Sequence, residues 1–215
     1  MTGATTPASP RSDMVRNRRL LLAAATTAFA ERGTDVSMGE IAQRAGVAKG
    51  TVFRHFASKD DLLAAIMLQV LDQLLDAAER LGSADDAGEA LREFMTVGVE
   101  TLAADRAFCE AIGRPSLQHA EVRDAIGRLC GVVETLTARA REQGAIRDDI
   151  TGTDIVLLLG GIHQTAEPLL AAQPQAWRRY LALAFDGLSA AGARTLPHPP
   201  PGRLDLGDSP SAPAE

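Results

Sequence analysis

Between residues 34 and 63 the chain carries small, hydroxyl and basic residues in an order that suits chemistry on a polyanion. Lys49, Thr51 and Arg54 place donors within six positions, Gly50 lets a backbone come close, and His55 and Lys59 follow directly. On a helix, basic and hydroxyl side chains near the N-terminal end meet phosphate oxygens and base edges together. Ser37 stands at the head of an earlier segment, where a hydroxyl and helix-terminal amides suit a phosphate. A solvated helical face is the ordinary fate of such residues, so the elements that position them decide between the two readings.

Those elements are legible in the local pattern. Ser37-Met-Gly-Glu40 has the form of a capping box, in which the Ser side chain caps an amide and the Glu reaches back. A short helix then turns Ile41, Ala42 and Ala45 inward, and Ala45-Gly46-Val47 forms a tight turn whose glycine supplies the backbone freedom. A second short helix spans Ala48 to about Arg54, with Val52 and Phe56 toward the core, and Ser58-Lys-Asp-Asp61 starts a long helix with another capping signature. Two short helices joined by a three-residue turn containing Gly make a helix-turn-helix, whose second helix fits a DNA major groove.

Residues 18–63 strongly resemble the N-terminal domain of the TetR/AcrR family of transcriptional regulators. The resemblance rests on Ala25, Phe29, Gly33, Ser37, Ile41, Ala42, Gly46, Val47, Lys49, Gly50, Thr51, His55, Phe56, Ser58 and Lys59. Two positions depart from it. Ala48 replaces the Ser or Thr that usually caps the recognition helix, and Phe53 stands where the family mostly has Tyr. The DNA-contacting set implied is Ser37, Arg44, Lys49, Gly50, Thr51, Phe53, Arg54, His55 and Lys59. The partner is a double-stranded operator, palindromic because the resemblance implies a homodimer.

The remaining chain reads as helices, with no alternating strand pattern, so the fold class is all-α. Periodic stripes run from about Ser12 to Arg32, from Ser58 through Leu81, from about Asp85 to Ala104, from His119 through Ala140, from Thr151 to the Pro168 region, and from Trp177 to about Ala191. Residues 1–10 and 193–215 are rich in Pro, Ser, Gly and Ala and are expected to be disordered tails. They flank a helix-turn-helix domain over 11–57 and a helical domain over 58–192. For the latter the resemblance implies an effector pocket among the middle helices, with Phe94, Met95, Val99, Phe108, Ile112, Leu129 and Val133 as lining. It also implies that the last two helices pair across a two-fold axis through Leu157, Leu158, Gly161, Trp177, Tyr180, Leu181, Ala184, Phe185 and Leu188, with Gly160 and Gly161 allowing close approach.

His163 and Glu167 lie four apart on one helical face. That spacing suits a metal, with His119 as a conjectural third ligand, yet two residues do not make a site; polar lining of the pocket or structural hydrogen bonding is the expected role. Cys109 and Cys130, near Arg106 and Arg128 in sequence, open a redox-responsive alternative, against the commoner fate of small buried cysteines. No cofactor is called for.

Charge and composition narrow the class further. Up to Lys59 nine basic residues face four acidic ones, giving +5, so the net charge of −6 leaves −11 on the rest. A basic end on an acidic body suits a protein that meets DNA at one end, and argues against a DNA-packing protein, which gains from positive charge throughout. No Gly-rich phosphate loop, paired Cys ligands, HExxH or nucleophile elbow appears, so an enzyme is not expected. Neither a signal pattern nor an eighteen-residue apolar run is present, so the expectation is a cytoplasmic protein without a membrane partner.

Overall fold

The computed structural model describes residues 10–104, 119–191 and 193–201. Among them are eight α-helices: α1 (Pro10–Arg32), α2 (Met38–Arg44), α3 (Lys49–His55), α4 (Lys59–Leu81), α5 (Ala87–Ala104), α6 (Ala120–Glu142), α7 (Gly152–Leu170) and α8 (Trp177–Leu188). No strand occurs among the described residues, only an isolated antiparallel bridge between Ile146 and Ser189. Phe108, Ile112 and Cys109 lie outside the described residues. Residues 193–201 follow without helix or strand, and Arg147 Nη2 donates to the Arg194 carbonyl at 2.5 Å.

Local rules set most helix ends. Capping boxes at Ser37/Glu40, Ser58/Asp61 and Thr151/Asp154 start α2, α4 and α7. Gly144 ends α6 at φ 69°, with Ala145 N–H donating to the Ala140 carbonyl at 3.0 Å and Gly144 N–H to that of Arg141 at 2.8 Å. Pro168 sits inside α7 near its end, where the helix continues only two more residues.

Helices α1, α2 and α3 form a small head on the first turns of α4, while α4, α5, α6, α7 and α8 pack as a helical body. The core is continuous from Leu21, Phe29 and Ile41 through Leu63, Ile66 and Leu74 to Leu129, Leu136 and Trp177. Polar side chains fasten the corners of the body. Arg139 of α6 donates to the carbonyls of Gly82 and Ala84, and Gln143 holds both the Asp85 carbonyl and the Ala87 amide at 2.8 Å. Glu134 accepts from Arg141 at 2.7 Å and from the Gly152 amide at 2.5 Å.

The first residue of α7 rests directly on the α6 backbone. A Cβ at Gly152 would lie 2.7 Å from the Glu134 Cα and 2.8 Å from the Cys130 carbonyl oxygen, both backbone atoms of a helix interior that cannot step aside. Gly127, on the same helix α6, would meet nothing within 4 Å. Gly152→Ala is therefore expected to destabilise the fold by about 1–3 kcal/mol, the usual cost of overpacking. Gly127→Ala, a glycine replaced within a helix, should leave stability unchanged or raise it by about 0.5–1 kcal/mol. Urea unfolding followed by circular dichroism measures both.

Candidate nucleic-acid interface

The turn between α2 and α3 has one covalent requirement. Gly46 sits at φ 67°, a left-handed conformation that side chains resist. Its N–H donates to the Gln43 carbonyl at 3.2 Å, and that of Val47 to the Ala42 carbonyl at 3.1 Å, closing the end of α2. The chain then re-enters a helix at Ala48, whose side chain makes no cap, as its apolar methyl requires. Val52 and Phe56 are buried, 0% and 2% exposed, and root α3 on the head.

With that face buried, the other face of α3 is open. Lys49, Gly50, Phe53 and Arg54 are exposed, and Thr51 and His55 are half-buried beside them. A Cβ at Gly39 would lie 3.8 Å from the Ser37 Oγ and 4.0 Å from the Lys49 Cε, so Ser37 and Lys49 flank the same end of the pair of helices. Lys59, half-buried, opens α4 just past the far end of α3. Phe53 presents an apolar ring, 47% exposed, suited to a thymine methyl or a sugar.

Two expected contacts change when partners are counted. Arg44 donates to Glu31 at 2.5 Å, which lowers the Glu31 pKa through that hydrogen bond, so its guanidinium is held against the head's own carboxylate. Ser37 is occupied as well. Its amide donates to Glu40 Oε2 at 2.8 Å, and its Oγ accepts from the Glu40 amide at 3.3 Å. The capping box thus uses two of the amides that a phosphate would need, and the Ser37 hydroxyl also bonds to the Glu40 carboxylate. Arg32 donates to Glu40 Oε1 at 2.6 Å and offsets the carboxylate there.

A cleft of about 400 Å³ separates the head from the body, lined among others by Arg18, His55, Phe56, Asp61, His119 and Glu121. The Arg18 guanidinium stacks over the Phe56 ring at 4.7 Å, a contact that the sequence pattern did not announce. His119 Nε2 lies 3.9 Å from Asp61 Oδ1, so this histidine faces α4 instead of joining His163 and Glu167. Glu167 is exposed and His163 is 7% exposed, its pKa lowered by burial against the opposing charge of Glu167. Among the described residues no cluster of three His, Cys, Asp or Glu could hold a metal.

The residues expected to act in the body are placed as follows. Phe94, Met95, Val99 and Val133 are fully buried and Leu129 is 1% exposed, so these side chains lie inside the body. Trp177, Leu181, Phe185 and Leu188, expected between subunits, are 1%, 6%, 8% and 4% exposed and face the chain's own core. Of the same expected set, Leu157 and Gly161 are exposed, and Leu158, Tyr180 and Ala184 are half-buried. Leu169 and Leu183, missed by the sequence reading, are 39% and 56% exposed on the same two helices. The second apolar stripe of α8, through Tyr180, Leu183 and Ala184, was the available signal. Cys130 is buried and burial pushes its thiol up, against a smaller opposing effect of a hydrogen bond from Thr153, which disfavours the thiolate that a redox switch needs.

A sequence profile described as bacterial regulatory proteins, tetR family, matches residues 21–66, and one described as the C-terminal domain of SbtR-like transcriptional regulators matches residues 86–190. The crystal structure of a TetR transcription regulatory protein from Mycobacterium vanbaalenii is 32% identical, with a TM-score of 0.59, over 84% of this chain and 99% of that one. The uncharacterized HTH-type transcriptional regulator Rv0472c of Mycobacterium tuberculosis is 35% identical over 92 residues, 42% of this chain and 39% of that protein. The HTH-type transcriptional repressor KstR2 of Rhodococcus jostii is 31% identical over 115 residues, 53% of this chain and 56% of its own. The chain thus spans about two-fifths to just over half the length of these curated relatives.

The electrostatics of the capping box give a pH test. Glu40 is held from its ordinary 4.5 down to about 2, first by the Ser37 amide, then by Arg32 and the Ser37 hydroxyl. A carboxylate depressed in the folded state contributes stability that is complete above its unfolded pKa and is lost as pH falls toward the folded one. The thermal midpoint should therefore decline between pH 4.5 and about 2 partly through Glu40, and Glu40→Gln should flatten that part of the acid limb. An unchanged acid limb in the variant would show that the capping carboxylate is not held as described.

Proposed function

The chain belongs to the TetR family of bacterial transcriptional regulators, and from that premise we propose that it is a homodimeric repressor released from a palindromic operator by a small effector. It is a DNA-binding regulator, as the family's members are, and not an enzyme. The observation that carries the finer reading is the open face of α3. Lys49, Thr51, Phe53 and Arg54 stand on a helix rooted by Val52 and Phe56 and aimed by the Gly46 turn. Lys49, Thr51 and Arg54 contact base edges and nearby phosphates, Gly50 allows close approach, Phe53 packs on a thymine methyl, and Ser37, His55 and Lys59 grip the flanking backbone. Two such heads on a two-fold axis read half-sites at least one turn apart, roughly 34–36 Å.

The dimer forms through the outer faces of α7 and α8. Leu157, Gly161 and Leu169 on α7, with Tyr180, Leu183 and Ala184 on α8, make an apolar surface that the chain itself does not cover. A Cβ at Gly160, Gly161 or Gly187 would meet nothing within 4 Å inside the chain, so the face is low enough for helices of a second copy to approach closely. The effector is small and partly apolar and enters between the middle helices, where the buried side chains of α5 and α6 must part to admit it. It releases DNA by binding more tightly to a dimer whose heads are wrongly spaced. A solved structure of similar fold, the transcriptional regulator FadR from Bacillus subtilis, is in complex with stearoyl-CoA, which makes an acyl-type effector one class to screen first. The protein works in the cytoplasm, where its DNA is.

Two measurements test this. In a fluorescence-anisotropy titration against the DNA flanking the protein's own gene, Lys49→Ala and Thr51→Ala should each weaken binding by about 1–3 kcal/mol if they touch bases. Unchanged affinity and selectivity in both would sink the assignment of α3. Leu183→Glu places a charge on the exposed face of α8, and analytical ultracentrifugation should then find a folded monomer that no longer binds the operator. A variant that stays dimeric would move the interface elsewhere.

A further inference from the structure

The sequence profile of the DNA-binding domain begins at residue 21, and Leu21 is the first fully buried residue of α1, yet α1 starts at Pro10. Eleven residues of helix, roughly 16 Å long, therefore extend beyond the core on which the rest of α1 packs. From Asp13 to Leu20 no residue of this segment is buried. The stripe of Leu21, Leu22 and Ala25 continues one heptad earlier into Met14, Val15 and Arg18, but Met14 and Val15 are 61% and 60% exposed.

Charge shows what the segment is suited to meet. Of the nine basic residues up to Lys59, Arg32 and Arg44 are held by Glu40 and Glu31 at 2.6 and 2.5 Å. Of the seven others, four lie ahead of Leu21, namely Arg11, Arg16, Arg18 and Arg19, against the single acid Asp13, whose Oδ1 is 3.6 Å from Arg16. That ion pair is loose and the Arg16 side chain is 71% exposed. Most of the head's positive charge outside those two pairs is thus on the extension and not on the recognition helix. The extension also starts from the right place. Arg18 stacks over Phe56, the residue that ends α3, and lines one cleft with His55, where the flanking DNA backbone would run.

We propose that the first three turns of α1 form a second DNA-contacting element, whose arginines bind phosphates flanking the bases read by α3. This rests on the operator-binding reading above and adds a surface outside the helix-turn-helix. Phosphate contacts of this kind carry no base information; they raise affinity for every duplex and steepen its dependence on salt.

The test compares the full-length protein with the triple variant Arg11→Gln/Arg16→Gln/Arg19→Gln, keeping Arg18 because it stacks on Phe56. Binding is titrated at several salt concentrations against the DNA flanking the gene and against a random-sequence duplex of equal length. The slope of log K against log salt should become shallower by about 0.9 for each phosphate that the variant no longer neutralises, on both duplexes. The thermal midpoint should not change. The charge-preserving variant, with Lys at the same three positions, should keep the wild-type slope. A control pair in the body, Arg80→Gln/Arg128→Gln, should keep it too.

A triple variant with the wild-type slope on duplexes that the wild type binds overturns the second element and leaves the helix-turn-helix reading intact. A control pair that flattens the slope equally reduces the effect to net charge and also overturns it. A wild-type protein that binds neither duplex overturns both readings.

Discussion

Everything in this protein hangs on the burial of α4 along its whole length. Leu62, Leu63, Ile66 and Met67 at its start, Val70, Leu71 and Leu74 in its middle, and Ala77 and Ala78 near its end are all buried. Fully burying a side chain such as Leu, Ile or Met contributes about 1.5–3 kcal/mol, so a helix of this kind cannot slide or tilt without giving up packing somewhere. Its neighbours are α1 in the head and α5 and α6 in the body. One packed helix is thereby common to the head and the body. Its first turn is fixed by the Ser58/Asp61 capping box, and Asp61 also faces His119 at the start of α6. The proposed switch would act through this packed element and not through a loop.

The electrostatic design of the head follows from how little it buries. Two arginines are committed to holding α1 against α2, through Glu31 and Glu40, and the latter also completes the cap of α2. Exposed pairs of this sort contribute little to stability individually. Their effect on function is to remove positive charge from the surface that would otherwise attract phosphate. The charge left over is concentrated on α3 and on the start of α1. The rest of the chain is net acidic, which opposes DNA binding away from the head.

The helix-turn-helix was legible in the sequence because every rule that builds it is local. Ser37 with Glu40, Gly46 in a left-handed turn, and Ser58 with Asp61 each act within a few residues, and the structure has all of them as read. Other placements were less legible for one common reason: they depend on partners far along the chain. Arg44 looked available until Glu31, thirteen residues earlier, was brought against it. Phe94, Met95, Val99, Leu129 and Val133 are apolar at positions that suit a pocket or a core equally, and packing among α4, α5, α6 and α7 puts them in the core. On α8 the sequence showed one apolar set without its direction, and packing buries Trp177, Leu181, Phe185 and Leu188 of it while leaving Tyr180 and Ala184 half-buried.

That contrast marks the division between the two levels. Composition, helical periodicity and capping signals were enough for an all-α chain with a DNA-reading head near its start, because backbone conformation answers to neighbours within a turn or two. Which arginine is spent on a carboxylate, which apolar stripe is covered, and how far α1 outruns its core were decided when the helices packed. Burial and charge pairing are properties of surfaces brought together across the chain, and no short stretch of sequence carries them.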